Sequence, residues 1–285
     1  MNIQIELSSV CNLKCIECPQ RLMKRERQFM SKEVFNRVLE YICMIPDERK
    51  TKGYPPTLIL HKDGEPLLHP DIRYFIRQIS DARPDYRFNI YTNGLELTED
   101  FIEFIESLPN ETRILISYHF FNGDGKRNEY SHIDHLLERC FRKDFRKIEF
   151  ILTSHVNRFC SEEFLKKWQS DLLEKTKDAK TKPVVAYNTH INPWTDLIHE
   201  ENTVTFEGCP YMDFGHLFIG VTGNVLPCCM DLEEELVQGN IMTDPYNVIF
   251  SRLERFYERL QQKRNLEPLC LKCMKNSNYI KDNIV

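Results

Sequence analysis

Between residues 2 and 191, six short strand-like runs alternate with five segments whose apolar residues recur at helical spacing. NIQIEL opens the series, with Ile3, Ile5 and Leu7 on one face and Gln4 and Glu6 on the other. SKEVFNRVLEYI (31–42) follows as a helix, with Phe35, Val38, Leu39 and Ile42 on one stripe and Ser31 as its N-cap. TLIL (57–60), FNIY (88–91), RILISYHF (113–120), KIEFILTS (147–154) and PVVAYNTHI (183–191) are the later strands. Helical periods separate them at 71–79, 98–107, 133–141 and 161–175. Such alternation predicts a parallel sheet joined by right-handed crossovers. Gln4, Glu6, Asn89 and Glu149 sit awkwardly in a sheet buried on both faces, so they are assigned to a wet, substrate-holding lumen. From about Trp194 the rhythm stops, and cysteine, Gly and Pro become denser. A last helical period near 247–263 separates two groups of cysteines.

A net charge of −5 gives no basic footprint for nucleic acid. No apolar run approaches the roughly 20 residues of a membrane helix, and MNIQIEL lacks the cationic start and apolar core of a signal peptide. The chain therefore reads as cytoplasmic, where structural disulfides are rare. Eleven cysteines in that setting point to metal or redox chemistry. Cys43, Cys140 and Cys160 fall in helical patterns and read as small core residues. The basic stretch RLMKRER (21–27) reads as a solvated loop, or as a face for an anionic ligand or a reductase.

CNLKCIECPQ, directly after the first strand, places Cys11, Cys15 and Cys18 in the spacing C-x3-C-x2-C. Three thiolates on a cubic iron–sulfur cluster leave one iron open to a small molecule. This run resembles the signature of the radical S-adenosylmethionine (SAM) superfamily. The resemblance implies a 4Fe–4S cluster whose fourth iron is chelated by SAM, which an electron cleaves to a 5′-deoxyadenosyl radical that takes hydrogen from a substrate. HKDGEPLLHP (61–70) resembles the family's GGEP motif in Gly64 and Glu65, with Asp63 in place of the first glycine. Asn93 in YTNG, Ser117 and Asn188 fall at strand ends where the family places cofactor contacts. Glu17 stands where the family has an aromatic or apolar residue beside the cofactor's adenine.

In the tail, Cys209, Gly223 and Cys228 form C-x13-G-x4-C, followed by Gly239-Asn240 and the pair Cys270 and Cys273. The set resembles the auxiliary-cluster domain called SPASM in its shortened, twitch form, implying a second 4Fe–4S cluster; spacing alone also allows structural zinc. The expected fold is α/β. A partial (β/α)6 TIM-like barrel spans 1–195, and a small α+β iron–sulfur domain spans 196–285. Electrons from a flavodoxin- or ferredoxin-type reductant and a small polar substrate (aminocyclitol, sugar or aminoglycoside) are implied, with a peptide as the alternative. With the first strand beginning at residue 2, no room is expected for an N-terminal peptide-binding domain. Dehydrogenation needs an electron acceptor and a base, for which His119 and His190 are candidates. Epimerisation needs a thiol donor, for which Cys229 is the candidate. Glu6, Tyr118, Asn188 and His190 are candidate substrate contacts alongside His119. A scaffold that only binds iron–sulfur clusters or zinc is the non-enzyme alternative.

Overall fold

The structure is a computed structural model that describes residues 2–45, 56–190, 197, 209 and 216–273. Six parallel strands form its centre: β1 (Asn2–Ile5), β2 (Thr57–Ile59), β3 (Arg87–Thr92), β4 (Thr112–Ser117), β5 (Ile148–His155) and β6 (Val184–Asn188). Each pairs with the next in sequence order, as right-handed βα units require. Helices α1 (Lys32–Met44), α2 (Ile72–Ala82), α3 (Glu99–Glu106), α4 (Ser131–Cys140) and α5 (Glu162–Lys175) connect them. Ser31, Thr98 and Ser161 cap α1, α3 and α5 by accepting from the backbone N–H three residues on.

Strand alternation sorts the residues. Ile3, Ile5, Leu58, Phe88, Ile90, Ile114, Ile116, Phe150 and Leu152 are fully buried and face the helices. The opposite parity, with Gln4, Asn89, Arg113 and Glu149, faces the lumen, where the paired strands β4 and β5 set Arg113 Nε 2.5 Å from Glu149. The helix layer locks through aromatics; Phe35 of α1 stacks on Phe75 of α2 at 3.9 Å between centroids.

The tail does not stand apart from the barrel. Strand β7 (Leu217–Ile219) pairs in parallel with the free edge of β1, and β8 (Asn224–Leu226) and β9 (Gly239–Asn240) continue antiparallel. One sheet of nine strands results, in the order β6-β5-β4-β3-β2-β1-β7-β8-β9. The open edge of an unclosed barrel is thereby covered. Helix α6 (Tyr246–Gln261) packs on the barrel through Tyr246 and Phe250 against Tyr41, and the short α7 (Pro268–Cys273) carries the last cysteine pair. The boundary expected near 195 lies outside the described residues. No helix among them is long and apolar enough to cross a membrane.

Candidate active site

A cavity of about 420 Å³ opens at the carboxyl ends of β1–β6, where loops from parallel strands converge. Cys11, Cys15 and Cys18 line one side of it. Their loop is pinned by backbone contacts: Lys14 N donates to Asn122 Oδ1 at 3.0 Å, and Gly123 N donates to Lys14 O at 2.8 Å. Gly64 fixes its start. A Cβ there would lie 2.3 Å from Ser8 O and 2.7 Å from Val10 O, so only glycine lets the β2 loop pass under the cysteine loop. Burial first, then the neighbouring Cys18, Glu17 and Cys11, drives the Cys15 thiol up. Burial also pushes Cys18 to about 12, with Cys11, Asp63 and Glu17 adding to it. Three crowded thiols that resist ionising alone suit a polycationic iron site that supplies the missing charge.

Next to the thiols stand Gly64, Glu65, Thr92 and Asn93. Glu65 is a clamp between loops. Its Oε1 accepts from Leu67 N (2.9 Å) and Thr92 Oγ1 (2.8 Å), and its Oε2 accepts from Asn93 N (2.7 Å). Burial outweighs these donors and raises its pKa to about 7. Asn93 Nδ2 donates to Asn12 Oδ1 at 2.8 Å, tying the β3 loop to the cysteine loop. The positive φ of Gly94 (81°) supports that turn.

Glu17, Ser117, His119, Thr153, His155 and Asn188 occupy the cavity beside β4–β6. His119 Nδ1 lies 2.8 Å from Glu17 Oε1. A carboxylate only accepts, so Nδ1 carries the proton and donates to Glu17. Burial pushes Glu17 up, but the bond to His119 and its charge prevail and lower the pKa. The His155 ring lies parallel to His119 at 6.1 Å, and its Nε2 is 3.1 Å from Asn188 Nδ2. Burial, then His119, lowers the His155 pKa to about 4, so it is neutral at neutral pH. Among the described residues, Glu17 Oε2 and His155 Nδ1 are buried without a hydrogen-bond partner. His155 was not singled out from the sequence. The signal was there: it continues the lumen parity of Glu149, Ile151 and Thr153 to the strand end.

Four sequence candidates lie elsewhere. Glu6 is correctly placed on the lumen face but is fully buried and spoken for, which corrects its role as a substrate contact. Its Oε1 pairs with Arg25 Nη2 at 2.5 Å and its Oε2 accepts from Val221 N at 3.3 Å. Arg25 also binds Asp63 Oδ2 (2.8 Å) and Leu232 O (2.7 Å), while buried Lys62 pairs with Asp63 and donates to Asp231 O at 2.9 Å. Thus the basic stretch 21–27 is not simply a solvated loop: Arg25 turns inward and joins β1, β2 and the tail. Tyr118 is likewise corrected. It faces the helices, donating to Asp134 Oδ1 at 2.9 Å and packing on Tyr130 and Trp168. His190 is exposed, next to Thr189 Oγ1 at 2.9 Å, and does not line the cavity. Cys229 packs with Phe218, Leu226 and Met230; it is within electrostatic reach of Tyr91 but outside the cavity lining.

The tail thiols converge on one another. Burial raises Cys228, Cys270 and Cys273, and Cys209 contributes to all three shifts. Tyr257 spans this region, donating to Pro227 O (2.9 Å) and His216 O (3.0 Å). No disulfide forms among the eleven cysteines. Four thiols gathered in this way fit a fully thiolate-ligated cluster.

A parallel partial barrel with three cysteines at its mouth and four in the tail is the arrangement that the resemblance to SAM-cleaving iron–sulfur enzymes implies. Residues 5–166 match the model of the radical SAM superfamily, and residues 209–274 match an iron–sulfur cluster-binding domain, SPASM. The chain belongs to the radical SAM superfamily and works with SAM, its 4Fe–4S cluster and auxiliary iron–sulfur ligation. It is 22% identical over 275 residues to the S-adenosyl-L-methionine-dependent 2-deoxy-scyllo-inosamine dehydrogenase of Niallia circulans, covering 95% of this chain and 91% of that protein. Its fold is similar to that of BtrN crystallised with AdoMet and 2-DOIA (TM-score 0.63, 20% identity, 97% of this chain and 92% of that one). It is also similar to native anSMEcpe with bound AdoMet (TM-score 0.56, 14% identity, 99% and 90%).

Proposed function

We propose that the protein dehydrogenates an alcohol carbon of a small polar substrate of the aminocyclitol or sugar class. The observation that carries this reading is the pairing of Glu17 with His119 inside the cavity that the three cysteines line. When bound, SAM and the two clusters supply hydrogen-atom abstraction and an electron acceptor. What the chain must add is a group for the hydroxyl proton. His119 Nε2 has that capacity, with Glu17 at Nδ1 orienting the ring and stabilising the imidazolium. Asn188 and Thr153 offer hydrogen bonds to a polyol from neighbouring strand ends. Leu115 and Ile151 give the lumen floor an apolar surface that excludes water.

Oxidation is favoured over epimerisation because Cys229 lies outside the cavity lining, packed on Phe218, Leu226 and Met230. The similarity over nearly the whole chain to a dehydrogenase of an aminocyclitol supports the same choice. We assign Cys11, Cys15 and Cys18 to the SAM-binding cluster, and Cys209, Cys228, Cys270 and Cys273 to the auxiliary one. Gly64, Glu65, Asn93 and Ser117 are assigned to SAM, and a flavodoxin- or ferredoxin-type donor to the reducing step. The test is His119→Gln in reduced, cluster-replete protein with SAM and an accepted aminocyclitol. Cleavage of SAM is expected to persist while oxidised product falls by about a hundredfold or more. Unchanged product formation would remove His119 from the reaction.

A further inference from the structure

Glu17, His119 and His155 arrive from three different elements, yet each presents a donor atom within 4.8 Å of the others. Two nitrogens and one oxygen form a set that first-row divalent ions accept, and donors about 2.0–2.2 Å from such an ion lie up to about 4.3 Å apart. A small rotation of one side chain closes the remaining gap. Two features indicate that the group is incomplete as it stands. Glu17 Oε2 and His155 Nδ1 are both buried without a partner, a costly arrangement that a bound cation relieves. His155 is moreover held neutral, so its ring offers a lone pair without first losing a proton. The Asn188 amide beside His155 Nε2 is the orienting neighbour that metal-bound imidazoles have; turned to present Oδ1, it accepts from Nε2–H and leaves Nδ1 to the ion.

We propose that Glu17, His119 and His155 form a mononuclear site for a divalent first-row transition-metal ion, separate from both cysteine groups. An ion held between Glu17 and His119 replaces the Nδ1 proton, so the neutral ring carries its proton on Nε2 and loses the lone pair that the dehydrogenation uses for the hydroxyl proton. The filled site is therefore an inhibited state of the enzyme. That consequence rests on the proposed function; the site itself does not. The two are tested apart because binding is read without substrate.

The experiment uses tag-free, cluster-replete protein, dialysed to equilibrium against Zn²⁺ under anaerobic conditions, with zinc and iron counted per chain by mass spectrometry. One zinc is expected to be retained with all iron in place. His155→Ala and Asn188→Ala should each weaken zinc binding, the latter by about tenfold to a hundredfold as expected for an outer-shell partner. Iron content is counted in each variant, so cluster assembly is a separate readout. No retained zinc, zinc that enters only as iron leaves, or zinc bound equally well by both variants would overturn the site. Zinc bound as predicted without loss of turnover would retain the site and remove its inhibitory role.

Discussion

Gly64 shows how one residue carries two demands. The motif resemblance marks it for the cofactor, and the structure adds a steric role, since a Cβ would strike Ser8 O at 2.3 Å. Gly64→Ala should displace the cysteine loop and cost the barrel cluster, leaving about four of about eight irons per chain; full iron content would contradict this. Glu65 carries a pH dependence. Its folded pKa is raised by burial from 4.5 to about 7, so folding favours its protonated form. The contribution is present below 4.5 and is lost as pH rises through about 7, by about 3 kcal/mol. In SAM-free protein, thermal midpoints measured across pH 5–8 should fall less steeply for Glu65→Gln than for the natural chain. A parallel pair of curves would show that Glu65 does not titrate there. His155 was readable by strand parity but has no motif to flag it, and Glu17 acquires a partner only when β4 brings His119 across the lumen.

The elements of the barrel were legible because short runs rich in β-branched and apolar residues recur between segments that have a cap or an apolar stripe. Strand β7 was not. Its three residues, Leu217–Ile219, are all buried, so no alternation marks them and no local signal directs them to the β1 edge. The join depends on a contact between residues far apart in sequence. Arg25 seals it, reaching Glu6 of β1, Asp63 after β2, Leu232 O of the tail and, at 3.6 Å, Glu234. Glu6 is pushed up by burial and by Asp63, against the pull of Lys62 and Arg25. Removing the guanidinium leaves two buried carboxylates with only Lys62 as counter-charge. Arg25→Met is therefore expected to cost about 3–5 kcal/mol and to lower the thermal midpoint by on the order of 10 °C. A midpoint within a degree or two of the natural chain would mean that the β1–β7 ladder holds the units together without it.

At the scale of the molecule, one sheet carries both cysteine groups, so the cavity and the tail cluster site are positioned by a continuous hydrogen-bonded frame. The sequence made the two groups visible through spacing and the cavity wall through strand ends. It did not show which polar lumen residues are already paired, because Glu6 and Glu17 look alike as carboxylates until Arg25 and His119 are placed beside them. In the proposed dehydrogenation this cavity removes a hydrogen from an alcohol carbon and the product leaves as a carbonyl. The direct measurement is mass spectrometry of reduced, cluster-replete protein incubated with SAM and aminocyclitols deuterated at their carbinol carbons, led by 2-deoxy-scyllo-inosamine. Deuterium in 5′-deoxyadenosine together with a ketone product is expected. Deuterium in 5′-deoxyadenosine with an inverted alcohol carrying solvent hydrogen, or no transfer from any carbinol position, would contradict it.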